Sequence, residues 1–178
     1  MIDLHIDKAG LQRAAQELGA TDAQVLQAVR STISKMARWA RSRSVRELAG
    51  GLVVPQKILR PRIKAQRLRR TVTGAEAGVW YGLNPVALIR LGARRTRAGV
   101  SAKGGRHIEG AFIAQARRGK RQVFRRKGRA RLPIAVQTAR IEAQATDYLE
   151  NDLSESRDFE QQFRQVFEHE LTWRMRRR

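Results

Sequence analysis

Three histidines and a set of paired acids are the residues of this chain whose types and spacing could do chemistry. His107-Ile108-Glu109 matches the His-x-Glu half of a zinc deaminase signature, in which the His holds the metal and the Glu moves the proton. The cysteine pair that completes such a site has no counterpart in a chain without cysteine. A strand alternating polar and apolar residues explains the same triplet. His169-Glu170 falls on an acidic helical stretch, where a solvated His is expected, and His5 alternates with apolar neighbours as on an edge strand. Asp147 with Glu150, and Asp152 with Glu155, stand at i,i+3 and could hold a cation from one helix face, although acids so placed at a helix end more often face water. Gly104-Gly105-Arg106 reads as a flexible turn, not a phosphate-cradling loop. No nucleophile with an adjacent base emerges. The expectation is a protein that is not an enzyme, with no catalytic residue, no cofactor and no metal site.

Charge is the stronger signal. Between Lys57 and Arg131 there are 22 Lys or Arg against two acids, Glu76 and Glu109, a local charge of +20 within a net charge of +21. From Ile141 to Leu171 the balance reverses, with nine acids against Arg157 and Arg164. Such asymmetry speaks of partners more than of fold. Arg94, Arg95, Arg97, Arg117, Arg118, Lys120, Arg121, Arg125, Arg126, Lys127, Arg129 and Arg131 are candidate contacts either to phosphates, through salt-dependent attraction without sequence readout, or to carboxylates of an adjoining subunit. Glu142, Asp147, Glu150, Asp152 and Glu155 are the candidate acceptors. Trp80, Tyr81, Phe112 and Phe124 sit in strand patterns that look like core, so the basic block lacks a stacking platform and any nucleic-acid contact is expected at the backbone only.

The elements that must position these residues read as α+β in one domain, 1–178. Hydrophobic content of 42% in 178 residues supports a real core. The absence of a signal-peptide pattern or an apolar run of roughly 20 residues predicts a soluble protein made in a reducing cytosol, with no membrane partner. Ile2, Leu4 and Ile6 alternate with polar residues as a strand, and a short helix is expected from Ala9 to Leu18. Thr21-Asp22-Ala23-Gln24 is a capping box. It opens a long helix whose stripe is Val25, Leu26, Val29, Ile33, Met36, Ala37 and Ala40, and which Gly50-Gly51 stops. A turn or two of helix follows Pro55. Strands are expected over 62–69, 76–83, 108–115, 122–126 and 132–141, while 86–91 fits helix or strand equally. The Gly- and Arg-rich 92–110 reads as a long loop or extended arm that orders against a partner. The segment 142–178 is helical, with Phe159, Phe163, Val166, Phe167 and Leu171 as its stripe. The fold class is thus a small antiparallel sheet packed against a long N-terminal-half helix and a C-terminal helix.

Several motifs, taken in order, resemble a known family. They are Val54-Pro55-Gln56-Lys57-Ile58-Leu59; Val79-Trp80-Tyr81-Gly82-Leu83-Asn84-Pro85 with Ile89-Arg90-Leu91-Gly92-Ala93-Arg94; and Gly110-Ala111-Phe112-Ile113-Ala114 with Val123-Phe124-Arg125-Arg126 and Arg131-Leu132-Pro133-Ile134. Together they resemble the minor tail protein Z family of lambda-like tailed phages and prophages, over about Ile33 to Ile141. The resemblance implies a structural tail-completion protein at the head-proximal end of a long non-contractile tail. It implies a ring, commonly of six copies, around the channel that DNA traverses, touching tail terminator, tape-measure and neck proteins. It carries over no catalytic residue. A basic, sequence-nonspecific nucleic-acid-binding protein of ribosomal or nucleoid type is the alternative that charge alone supports.

Overall fold

The computed structural model describes residues 19–71, 74–116, 119–153 and 157–176. The expected strand 2–6 with His5, the helix 9–18, and Arg117, Arg118 and Glu155 lie outside the described residues. The chain is α+β, with a long N-terminal-half helix, a C-terminal helix and small antiparallel sheets. Among the described residues the strands form five small antiparallel sheets in place of one expected sheet. The described residues group into two compact units.

Helix α1 (Asp22–Gly51) begins at the capping box: the Gln24 amide donates to Thr21 Oγ1 at 3.4 Å, and the Thr21 amide donates back to Gln24 Oε1 at 3.0 Å. Val25, Ala28, Ile33, Met36, Ala37 and Ala40 are buried along one stripe, with Thr32 and Ser44 as its polar members. Leu26, expected on that stripe, is 41% exposed, although Ile33, seven residues on and within about 20° of it around the helix, is buried. The helix stop also differs from expectation. Gly50 and Gly51 remain on or at the helix end, and the left-handed residue is Val53, at φ 49°. The Val54 amide reaches back to Ala49 O and the Val53 amide to Gly50 O, both at 3.1 Å, which is a Schellman closure with a β-branched residue at the position glycine favours.

The first unit contains described residues through Ser44, Ile63–Tyr81, and those from Tyr148 onward. Helix α4 (Arg157–Arg176) runs antiparallel to α1, since partners on α4 fall in number as those on α1 rise. Val25, Ala28, Phe167 and Leu171 form the buried cluster, with Ala20, Val29, Phe163 and Met175 packed around it. Trp39 meets Phe159 edge-on, centroids 5.8 Å apart. A hairpin completes this unit. β1 (Ile63–Ala65) pairs with β4 (Val79–Tyr81), and β2 (Arg69–Thr71) with β3 (Gly74–Glu76). Registers Ala65↔Val79 and Arg69↔Glu76 leave three residues facing two, a bulge bridged by the Gln66 amide to Gly78 O at 2.8 Å.

The second unit is Val45–Arg62 and Gly82–Asp147. Helix α2 (Gln56–Leu59) follows Pro55 as expected and buries Ile58 and Leu59. The undecided run splits into β5 (Val86–Ala87) and a 3-10 turn, Leu88–Leu91, closed by left-handed Gly92. The stretch read as a loop or arm contains a three-stranded meander: β6 (Arg94–Thr96), β7 (Gly99–Ala102) and β8 (Arg106–Glu109), with Val100 buried at its centre. Gly99 is required there by close approach, because a Cβ would lie 2.1 Å from Ile108 O. Gly110 at φ 66° separates β8 from β9 (Ala111–Gln115), which the sequence reads as one strand. β9 pairs with β10 (Arg121–Arg126), and β10 with β11 (Ile134–Val136). At Gln137 the chain leaves β10 and, as β12 (Thr138–Ala139), pairs with β5. Helix α3 (Glu142–Asp147) ends this unit, and a π-helical turn, Tyr148–Leu153, follows it in the chain.

Candidate interaction surface

Two faces of the β9–β10–β11 sheet follow from strand alternation. Ala111, Ile113 and Val123 point inward and are buried. On the other face Phe112, Phe124 and Val136 form a row across the three strands, with the two phenyl rings 6.0 Å apart. Phe124 is buried, Phe112 half-buried and Val136 48% exposed; Ile134 on the same strand is 37% exposed and Leu132, just before it, 67%. β11 is an edge strand, with no partner on its outer side among the described residues. Of the aromatics expected in the core, Phe124 fits best. Trp80 does not: it is 48% exposed, because it lies on the face of β4 opposite to Val79 and Tyr81. Tyr81 is half-buried and its hydroxyl pairs with Ser44 Oγ at 2.9 Å; burial pushes its pKa up, against the lowering effect of that bond.

The cations of the expected site fall into two groups. Arg126 lies over the Phe112 ring, 5.7 Å from its centroid, on the apolar face. Lys120, Arg121, Arg125, Lys127 and Arg129 are exposed along β10 and its flanking turns. The meander's arginines do different work. Arg95 donates to Ile113 O at 2.6 Å, tying β6 to β9, whereas Arg94 and Arg97 are exposed, Arg97 in the two-residue turn before Gly99. Arg106, not singled out by the sequence reading, donates to Lys103 O at 2.7 Å and to Leu52 O at 2.8 Å, so it satisfies a carbonyl left over at the end of α1. Of the candidate acids, Glu142 and Asp147 are exposed on α3 and Glu150 on the π-helical turn, which also carries position 152.

The residues that suggested chemistry are placed elsewhere. His107 pairs across the meander with Ser101 Oγ at 2.9 Å on an exposed face, as the alternation implies. Glu170, on the helical stretch read as acidic, is 7% exposed. It accepts from Lys35 and Arg174, and Arg174 also donates to Glu170 O at 2.9 Å and Ser31 Oγ at 2.6 Å. Burial raises the carboxyl's pKa, but the two cations outweigh it and hold the group below the usual glutamate range. Among the described residues no group of three or more His, Asp and Glu is placed to hold a metal ion, and no helix is long and apolar enough to cross a membrane.

The sequence model of the family described as prophage minor tail protein Z (GPZ) matches residues 8–178. The chain belongs to that family. It is therefore a structural protein of the phage tail, and its partners include other tail components. The match extends the resemblance seen in the motifs to both flanking helical regions. No curated protein and no solved structure matched the chain. The family does not by itself explain why so much charge is displayed.

Proposed function

We propose that this protein completes the tail at its head-proximal end, as a ring of identical copies around the DNA channel at the tail-neck junction. The observation that carries this reading is the edge of the β9–β10–β11 sheet. An edge strand with no partner on its outer side among the described residues, exposing Ile134 and Val136 next to an exposed Leu132 and beside Arg125, Arg126, Lys127 and Arg129, is an association surface, since edges of this kind are otherwise blunted. Its partner is a second copy: the acidic stretch from Glu142 through Asp147, Glu150, Asp152 and Glu155 supplies the opposite charge from a different patch of the same chain. Two different patches meeting head to tail generate a closed ring when the rotation closes; six copies is the expected number. The whole of 1–178 acts as one tail-completion domain, without catalysis. Tail terminator, tape-measure and neck proteins are the remaining contacts. The test is genetic: particles assembled without this protein should carry tails that fail to join heads. Infectious, head-joined particles lacking it would overturn the reading. The alternative, a dedicated nucleic-acid binder of ribosomal or nucleoid type, requires tight binding at physiological salt.

A further inference from the structure

The second strongly charged element is the hairpin 63–81, in the other unit. Lys64, Arg67, Arg69 and Arg70 are all exposed on it, against one acid, Glu76, which lies 3.8 Å from Arg69. Arg67 and Arg70 have no acid partner among the described residues. Arg69 and Arg70 are neighbours on β2, so their side chains leave on opposite faces, yet both are exposed. Both faces of β2 therefore present an arginine to solvent. At the other end of the hairpin one face is packed, through Ile63 and Val79, and the outer face presents Trp80 with Lys64 Nζ 5.8 Å from its ring centroid. The bulge at 66–68 lies between the β1–β4 end and the β2–β3 end.

We propose that this hairpin is a binding element for the backbone of double-stranded DNA, entering the major groove. That groove is about 12 Å wide and admits a two-stranded ribbon. A ribbon with arginines leaving both faces reaches the phosphates on both walls, which a basic patch on one packed face does not. Lys64 and Arg67 extend the positive track along the hairpin from β2. A single exposed Trp, already shared with Lys64, makes no stacking platform, so single strands are not the preferred form. The narrow, deep major groove of A-form RNA excludes the ribbon. Contact is to phosphate, hence without sequence preference. The inference stands on the hairpin alone and does not depend on ring formation.

The experiment is fluorescence anisotropy of the full chain with a labelled 30-base-pair duplex across a salt series. Each neutralised phosphate contributes roughly −0.9 to the slope of log K against log salt. Replacing Lys64, Arg67, Arg69 and Arg70 by Ala should reduce the slope by about 3 to 4 and weaken binding tenfold or more. A control that removes the same charge outside the hairpin, at Arg46, Lys57, Arg60 and Arg90, should change the slope by less than about 1. Trp80 fluorescence should respond to the duplex, and Trp80→Phe should abolish the response. Circular dichroism and melting of each variant check that it is folded. Equal losses in the hairpin and control variants would overturn the proposal, as would equal affinity for the single strand or for duplex RNA. A hairpin variant that loses binding to poly-glutamate but not to DNA would assign the element to an acidic protein surface instead.

Discussion

Replacing Glu170 by Gln should be among the most damaging single changes to the α1–α4 pair. The carboxylate is 7% exposed and bridges Lys35 on one helix and Arg174 on its own. The Arg174 side chain is 13% exposed, while that of Lys35 is 45% exposed. Breaking a buried pair costs about 3 to 5 kcal/mol when the remaining charge has nowhere to go. Lys35 can turn to water, so its share falls toward the small value of a surface pair. Arg174 retains Glu170 O and Ser31 Oγ, which softens the loss further. The expected cost is about 2 to 3 kcal/mol, or roughly 5 to 10 °C in melting temperature for a chain of this size. Glu168→Gln, on the exposed side of the same helix, should stay within about 0.5 kcal/mol. The pH dependence follows from the lowered carboxyl: its contribution is complete above the unfolded glutamate pKa and is lost as pH falls through the folded value. Urea titrations of both proteins should therefore differ at neutral pH and converge in acid. A difference below about 0.5 kcal/mol at pH 7, or one that persists unchanged in strong acid, would refute the reasoning.

Val53→Gly should stabilise the chain by about 0.5 to 1 kcal/mol, because a β-branched residue at φ 49° gives way to one without a Cβ penalty, and the lost side chain is half exposed; a fall in melting temperature would contradict it. Gly99→Ala should cost more than about 2 kcal/mol, since its Cβ would meet a backbone oxygen at 2.1 Å that no side-chain movement can clear. Unchanged stability of that variant would show that β7 and β8 do not approach as described. Ile134→Lys with Val136→Lys should lower the assembly state measured by light scattering while leaving the melt of the isolated chain within about 1 kcal/mol, because both positions are exposed.

The long helices were legible because periodicity and capping act locally: Thr21-Asp22-Ala23-Gln24 and the 3.6-residue stripe need no tertiary information. The meander 94–109 was not, because Arg94, Arg95 and Thr96 are all exposed and Val100 is its one fully buried large residue, so period-2 alternation is nearly absent. The surviving signal was punctuation, Arg97-Ala98-Gly99 and Lys103-Gly104-Gly105 at hairpin spacing. Trp80 was misread because its alternation partners, Val79 and Tyr81, are apolar too, and which parity faces inward is decided by what α1 places beneath the strand: Arg41 donates to Ile63 O and Ser44 to or from Tyr81. The burial of Glu170 is not legible in the sequence because its neighbours on α4 are acidic, and only the packing of α4 on α1 brings Lys35 to it. The basic cluster was visible as charge, but its division into structural arginines (Arg95, Arg106) and displayed ones (Arg97, Arg125, Arg129) depends on which carbonyls lie within reach.

The central claim is a place and an arrangement in the virion, and an electron cryo-microscopy map of the head-tail junction measures both. The account predicts a closed ring of this chain at the head-proximal end of the tail, with β11 of each copy against the 142–155 segment of the next. Density for the chain elsewhere in the tail, or as single copies that do not touch one another, would contradict it.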